Sequence, residues 1–103
     1  MSERMQKLLT MLEKTPGDPF VLYGVGLEHK KAGELAKAIE FLDRTIAADA
    51  GYCYAYFQKG QVYEEMGKIE EAKAAYREGI AAAAKKGDAH AKGELEGALM
   101  MIE

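Results

Sequence analysis

Apolar residues along this chain recur with the period of a helix, in short bursts closed by glycine or proline. Met5, Leu8, Leu9 and Leu12 form one stripe, and Leu22, Val25, Gly26 and His29 a second. Leu35, Ala38, Ile39, Leu42 and Ile46 form a third, and Tyr56, Gly60 and Tyr63 a fourth. Ile69, Ala72, Tyr76 and Ile80 follow, and Leu95, Leu99 and Ile102 close the series. Residues three, four and seven apart share one helix face, so each burst predicts an amphipathic helix. Runs of Val, Ile and Thr with strand-type alternation are missing. The pattern predicts an all-α protein.

The punctuation between bursts predicts where helices start and stop. Asp18-Pro19 is an N-cap followed by proline in the first helical position. Gly33, Gly67 and Gly87 each follow a burst, where glycine can take the left-handed conformation that ends a helix. Asp88 then offers a new N-cap. Gly60 does not fit this scheme, because it falls inside a helical pattern and costs about 1 kcal/mol there relative to alanine.

Sliding the sequence against itself by 34 residues explains Gly60. Gly26 meets Gly60, Gly33 meets Gly67 and Ala38 meets Ala72, while Phe20 meets Tyr54 and Tyr23 meets Phe57. Residues 19–52 and 53–86 tile as two units, each a helix, a tight turn and a second helix. The interior glycine is then the point where the two helices of a hairpin cross. Gly60 is expected to face Ala72, and Gly26 to face Ala38.

With Tyr56, Gly60, Tyr63, Gly67, Ala72 and Tyr76 at these offsets, the second unit resembles the tetratricopeptide repeat family. The first unit carries the same pattern more loosely, in Leu22, Gly26, Gly33, Ala38 and Leu42, with His29 in an aromatic slot. The resemblance implies a right-handed superhelix of helix-turn-helix repeats, an α-solenoid with flanking cap helices. Residues 3–15 are expected to form an orphan second helix from a partial repeat at one end. Residues 88–102 are expected to form a C-terminal capping helix at the other. Stacked repeats need such ends, because each unit alone leaves an apolar face bare.

Composition narrows the function classes. A length of 103 residues suits one small domain, and the formal net charge of −3 comes without a basic block, which argues against a nucleic-acid partner. No apolar run approaches the roughly 20 residues of a membrane span, and the start lacks the apolar core of a secretory signal. One cysteine cannot make an internal disulfide, so a cytoplasmic location is the expectation.

Candidate chemistry is sparse. His29 lies on the core stripe and is expected to be buried and hydrogen-bonded; His90 is expected to be exposed. Cys53 opens a helix, where the dipole would lower its pKa, but no histidine is expected beside it. The glycines are single rather than clustered as in a phosphate loop, and no metal-ligand spacing occurs. The sequence therefore gives no positive support for an enzyme, a cofactor or a metal.

A second stripe carries the functional expectation. At roughly 100° per residue, Phe20, Tyr23, Leu27, Lys30 and Lys31 cluster away from the core face, about 130° from Leu22. Tyr54, Phe57, Gln61, Glu64 and Glu65 take the same side one unit later. In the family this side lines a concave, peptide-binding surface, so the resemblance implies a protein–protein interaction module. Four aromatic rings are expected to form one patch there, with Lys30 and Lys31 pairing near Glu64 and Glu65 at its rim. Tyr23, Leu27 and Gln58 fill slots that a charged clamp for a C-terminal carboxylate would need polar or basic. The alternative is a self-assembling protein, a homo-oligomer stacked through residues 3–15 and Met100-Met101.

Overall fold

The computed structural model of the protein describes residues 2–103 as six helices. They are α1 (Glu3–Lys14), α2 (Pro19–Lys31), α3 (Leu35–Ala48), α4 (Cys53–Glu65), α5 (Ile69–Lys86) and α6 (Ala89–Met100). Their starts follow local chemistry. Ser2, Asp18 and Asp88 cap α1, α2 and α6, each accepting a hydrogen bond from a backbone amide of the first turn. Gly33, Gly67 and Gly87 adopt φ of 78°, 75° and 80°. The amide after each glycine donates to a carbonyl five residues back: Glu34 to His29, Lys68 to Tyr63 and Asp88 to Ala83. That bond satisfies an orphan carbonyl and turns the chain sharply into the next helix.

Neighbours in sequence are neighbours in space. Helices α2 and α3 form one hairpin, α4 and α5 a second, and α1 and α6 pack on the outer ends of the stack. The stack is a slab of 38 × 30 × 18 Å. Its apolar interior has three parts. Met5 and Leu8 of α1 pack with Val21, Leu22, Val25 and Phe41. Ala38 and Leu42 meet Ala55 and Val62 where the two hairpins join. Cys53, Tyr56, Ala72 and Tyr76 pack with Ala83, Ala91 and Leu95 at the far end, where Leu99 and Ile102 also lean in.

The glycine notches exist, but the residues that fill them differ from expectation. A Cβ on Gly60 would lie 2.2 Å from Cε1 of Tyr76, so the ring of Tyr76, not Ala72, occupies the space. A Cβ on Gly26 would lie 3.2 Å from Cγ of Leu42, not beside Ala38. Helical side chains lean toward the N-terminus of their own helix and cover the preceding turn. Tyr76 and Leu42 therefore reach back over the level of Ala72 and Ala38. Two further notches carried no repeat signal. Gly24 faces Leu8 of α1, and Gly79 faces both Tyr56 and Leu95.

His29 sits at the edge of the core rather than inside it. Its side chain is 14% exposed, its ring lies 5.4 Å from that of Phe41, and Nδ1 is 2.9 Å from Glu34 Oε1. The buried acid is instead Glu28, which accepts the Ser2 hydroxyl at 2.9 Å and lies 3.3 Å from Arg4 Nε. These bonds fasten the start of α1 to the last turn of α2.

Candidate functional site

The exposed sides of α2 and α4 carry the eight candidate residues, and the structure distributes them unevenly. Phe20 is 63% exposed, an unusual state for a phenylalanine. Tyr23 is half-buried, with its ring 4.9 Å from that of Tyr52, and Leu27 is half-buried below it. On α4, Tyr54 meets Phe57 edge-on at 6.5 Å, and Phe57 lies 6.1 Å from the core ring of Tyr76. The expected single patch of four rings is thus two groups, Tyr23 with Tyr52 and Tyr54 with Phe57. Phe20 has no ring partner among the described residues.

The expected lysine–glutamate rim is not formed. Lys30 Nζ donates to Gln58 Oε1 at 2.7 Å and to Gln61 Oε1 at 2.9 Å, so it crosses between hairpins onto amide oxygens. Glu64 instead accepts the hydroxyl proton of Tyr76. Lys31 and Glu65 stay exposed. The backward lean of helical side chains again explains the change. From its slot level with Glu64, Lys30 reaches one to two turns back along α4, where Gln61 and Gln58 stand.

Three residues outside the eight candidates complete this side. Tyr52 ends the α3–α4 loop and stacks on Tyr23. Gln58 holds Lys30. Glu94 of α6 accepts the Tyr54 hydroxyl at 3.0 Å and lies 2.6 Å from Nε2 of His90, whose side chain is 81% exposed. Tyr23, Tyr52, Cys53, Tyr54, Lys86 and Asp88 line a cleft of about 270 Å³ at the starts of α4 and α6. No repeat-level signal marked Tyr52 or Glu94. The only hint was aromatic clustering at residues 52–57.

Electrostatics on this side favour neutral phenols. Burial pushes Tyr23 up from 10.0, opposed by a hydrogen bond from Gln58. Burial likewise raises Tyr52, with Asp18 and Asp49 adding to the effect. Burial, followed by the Glu64 carboxylate, raises Tyr76 strongly. For Cys53 burial outweighs the attraction of Lys86, and the thiol pKa moves up. This corrects the expectation that the helix start would lower it. The residue is 4% exposed, and its Sγ lies 3.3 Å from the Gly51 carbonyl. Among the described residues no group of three or more His, Cys, Asp or Glu side chains could hold a metal. No helix among them is long and apolar enough to cross a membrane.

Comparison with known proteins agrees with this architecture. A tetratricopeptide repeat model matches residues 54–86. A TPR repeat-containing protein of Pseudomonas aeruginosa is 30% identical over 95 residues, covering 92% of this chain and 88% of that one. A tetratricopeptide repeat domain protein of Salinibacter ruber, solved by NMR, superposes with a TM-score of 0.80 at 28% identity. That match covers 85% of this chain and 89% of the other. A protein of Bordetella parapertussis shares the fold at 22% identity, with a TM-score of 0.84 over 99% of this chain and 89% of its own. The repeat spacing, the threaded glycine notches and these relatives together place the chain in the tetratricopeptide repeat family, whose all-α solenoid fold generally mediates protein–protein interaction.

Proposed function

We propose that the protein is an interaction module that holds a segment of a partner protein against the shared side of α2 and α4, the concave face of the stack. The observation that carries this reading is Phe20. A phenylalanine 63% open to water, on the same side as Tyr23, Tyr54 and Phe57, is a costly surface for a free protein and a natural anchor for a bound one. The cleft bounded by Tyr23, Tyr52 and Tyr54 continues that surface and would accept a bulky apolar side chain. The partner segment is extended or helical, with one or two apolar anchors. Such a small surface supports micromolar affinity, on the order of 8 kcal/mol of binding free energy.

Site-specific photocrosslinking in cells tests this face against the rest of the molecule. A photoreactive amino acid at position 20 is expected to trap a discrete partner. The same group at Ala74, on the exposed side of α5, is expected to trap none. Equal yields from the two positions would sink the reading.

A second reading, self-stacking through the ends, has Met100 and Met101 in its favour, at 74% and 84% exposed. The outer side of α1 offers Glu3, Gln6, Lys7 and Thr10 around a single Met11, a poor surface for stacking. Light scattering across a concentration series separates the two readings, since only stacking makes the mass rise.

A further inference from the structure

Lys30 is held in place without being neutralised. Its side chain is half-buried between the two hairpins, and both partners of its ammonium are neutral amide oxygens, Gln58 at 2.7 Å and Gln61 at 2.9 Å. The other half-buried lysine that bridges the hairpins, Lys59, has a carboxylate partner, Asp43 at 2.8 Å. Among the described residues no acid pairs with Lys30. The acid in the matching slot of the next unit, Glu64, is engaged by the Tyr76 hydroxyl. An ammonium has three protons to donate, and the two glutamines accept two.

We infer that the concave face reads an acidic side chain as well as apolar anchors. A carboxylate of the bound segment would take the third proton of Lys30, next to the apolar surface of Leu27 and Phe57. The inference rests on the concave-face reading above and specifies its partner: an aspartate- or glutamate-bearing segment with bulky apolar neighbours. The physical grounds are charge complementarity and preorganisation. The two glutamines fix the Nζ position before binding, so less side-chain freedom is lost when the ion pair forms. Partial burial reduces the screening that makes exposed pairs weak. A lysine held only by amides gains more from an incoming carboxylate than one already paired.

The test is selection of a displayed library of random twelve-residue peptides on the intact protein. The enriched sequences are then synthesised in acidic form and with Glu→Gln or Asp→Asn replacements. The expected result is a consensus with an acid beside one or two bulky apolar residues. Neutralising that acid should weaken binding about tenfold, the scale of one charge-assisted hydrogen bond. Lys30→Met, which keeps the apolar stem, should weaken the acidic peptide equally and leave the neutral form unchanged. A wild-type consensus without acids overturns the inference, as does an acidic peptide indifferent to Lys30→Met, or a library that yields no binder. Phe20→Ala and Tyr54→Ala report separately on the face itself. Selected peptides insensitive to both bind elsewhere, and then the concave-face reading fails along with its refinement.

Discussion

The two hairpins use one backbone plan and fill it differently. In the first, the notch at Gly26 receives the branched end of Leu42, and a Cβ there would still sit 3.2 Å away. In the second, the notch at Gly60 receives a whole tyrosine ring, and a Cβ would sit 2.2 Å from it. Tyr76 passes through the hairpin and offers its hydroxyl to Glu64. At its notch the first hairpin is closed by apolar contact, whereas the second adds a polar tie there. A glycine in the same repeat slot is therefore a convenience in one unit and a steric requirement in the other.

Alanine substitution at the two glycines should separate them most clearly. Gly60→Ala drives a methyl into an aromatic ring that is fully buried and cannot swing aside. It is expected to cost about 3 kcal/mol, at the upper end of overpacking effects. Gly26→Ala requires buried Leu42 to give by only a few tenths of an ångström, and the helix gains about 1 kcal/mol of propensity, so the net change should be near zero. Urea denaturation of both variants checks the contrast. Equal losses would mean that the notches are equivalent.

Removing the polar tie should have a smaller effect. Tyr76→Phe keeps the ring and loses the bond to Glu64, which is expected to cost about 1–2 kcal/mol at neutral pH. The pH dependence identifies the source. The folded pKa of Tyr76 is raised above its ordinary 10.0, so its contribution is complete below that pH. Above it the unfolded chain ionises first, and the stability is lost as pH rises through the folded value. Tyr23, Tyr52 and Tyr56 shift in the same direction through burial. Wild-type protein should thus hold a flat urea midpoint up to about pH 10 and then fall. The Tyr76→Phe variant should start lower and fall less steeply. An equally steep fall would assign the alkaline transition to the other tyrosines.

The smallest expected effect lies between the hairpins. Counting from the N-caps Asp18, Tyr52 and Asp88, the seventh helical residue is Val25, Lys59 and Leu95. Val25 and Leu95 are buried in apolar clusters, but Lys59 pairs with Asp43 across the junction. Burial by itself would lower the Lys59 pKa, but the hydrogen bond and charge of Asp43, with smaller contributions from Tyr63 and Glu78, together raise it. The Asp43 side chain is 50% exposed, so solvent screens the pair. A double-mutant cycle is expected to give about 0.5–1 kcal/mol of coupling. A value at zero would leave the Lys30 bonds to Gln58 and Gln61 as the polar part of that junction, beside the apolar contact of Ala38, Leu42, Ala55 and Val62.

Most of the fold was legible because helices and their turns are local. The 34-residue spacing, the left-handed glycines and the Asp-Pro and Gly-Asp boundaries all involve residues close in sequence. What the repeat did not reveal was the direction of long side chains. Pairing Gly60 with Ala72, or Lys30 with Glu64, matches Cα levels. Tyr76 and Lys30 act a turn or more N-terminal to their own Cα atoms, in the direction helical geometry requires. Glu28 and Glu94 were missed for a different reason. Their partners, Ser2 and Arg4 on α1 and Tyr54 on α4, lie 26, 24 and 40 residues away, and no periodicity links them. The exposed α2–α4 side was recognisable as a stripe, but its division into two aromatic groups depended on Tyr52, a loop residue outside any helical count.

The single thiol gives the second hairpin a built-in clock. Cys53 is the first residue of α4, 4% exposed, and packs among Tyr56, Ala83, Ala91 and Leu95. Its raised pKa keeps the reactive thiolate scarce in the closed state. A thiol reagent too bulky for the cleft at Tyr23, Tyr52 and Tyr54 can therefore act chiefly when α5 and α6 part from α4. The labelling rate then counts those openings, and a bound segment that spans Tyr54 and α6 would slow the count.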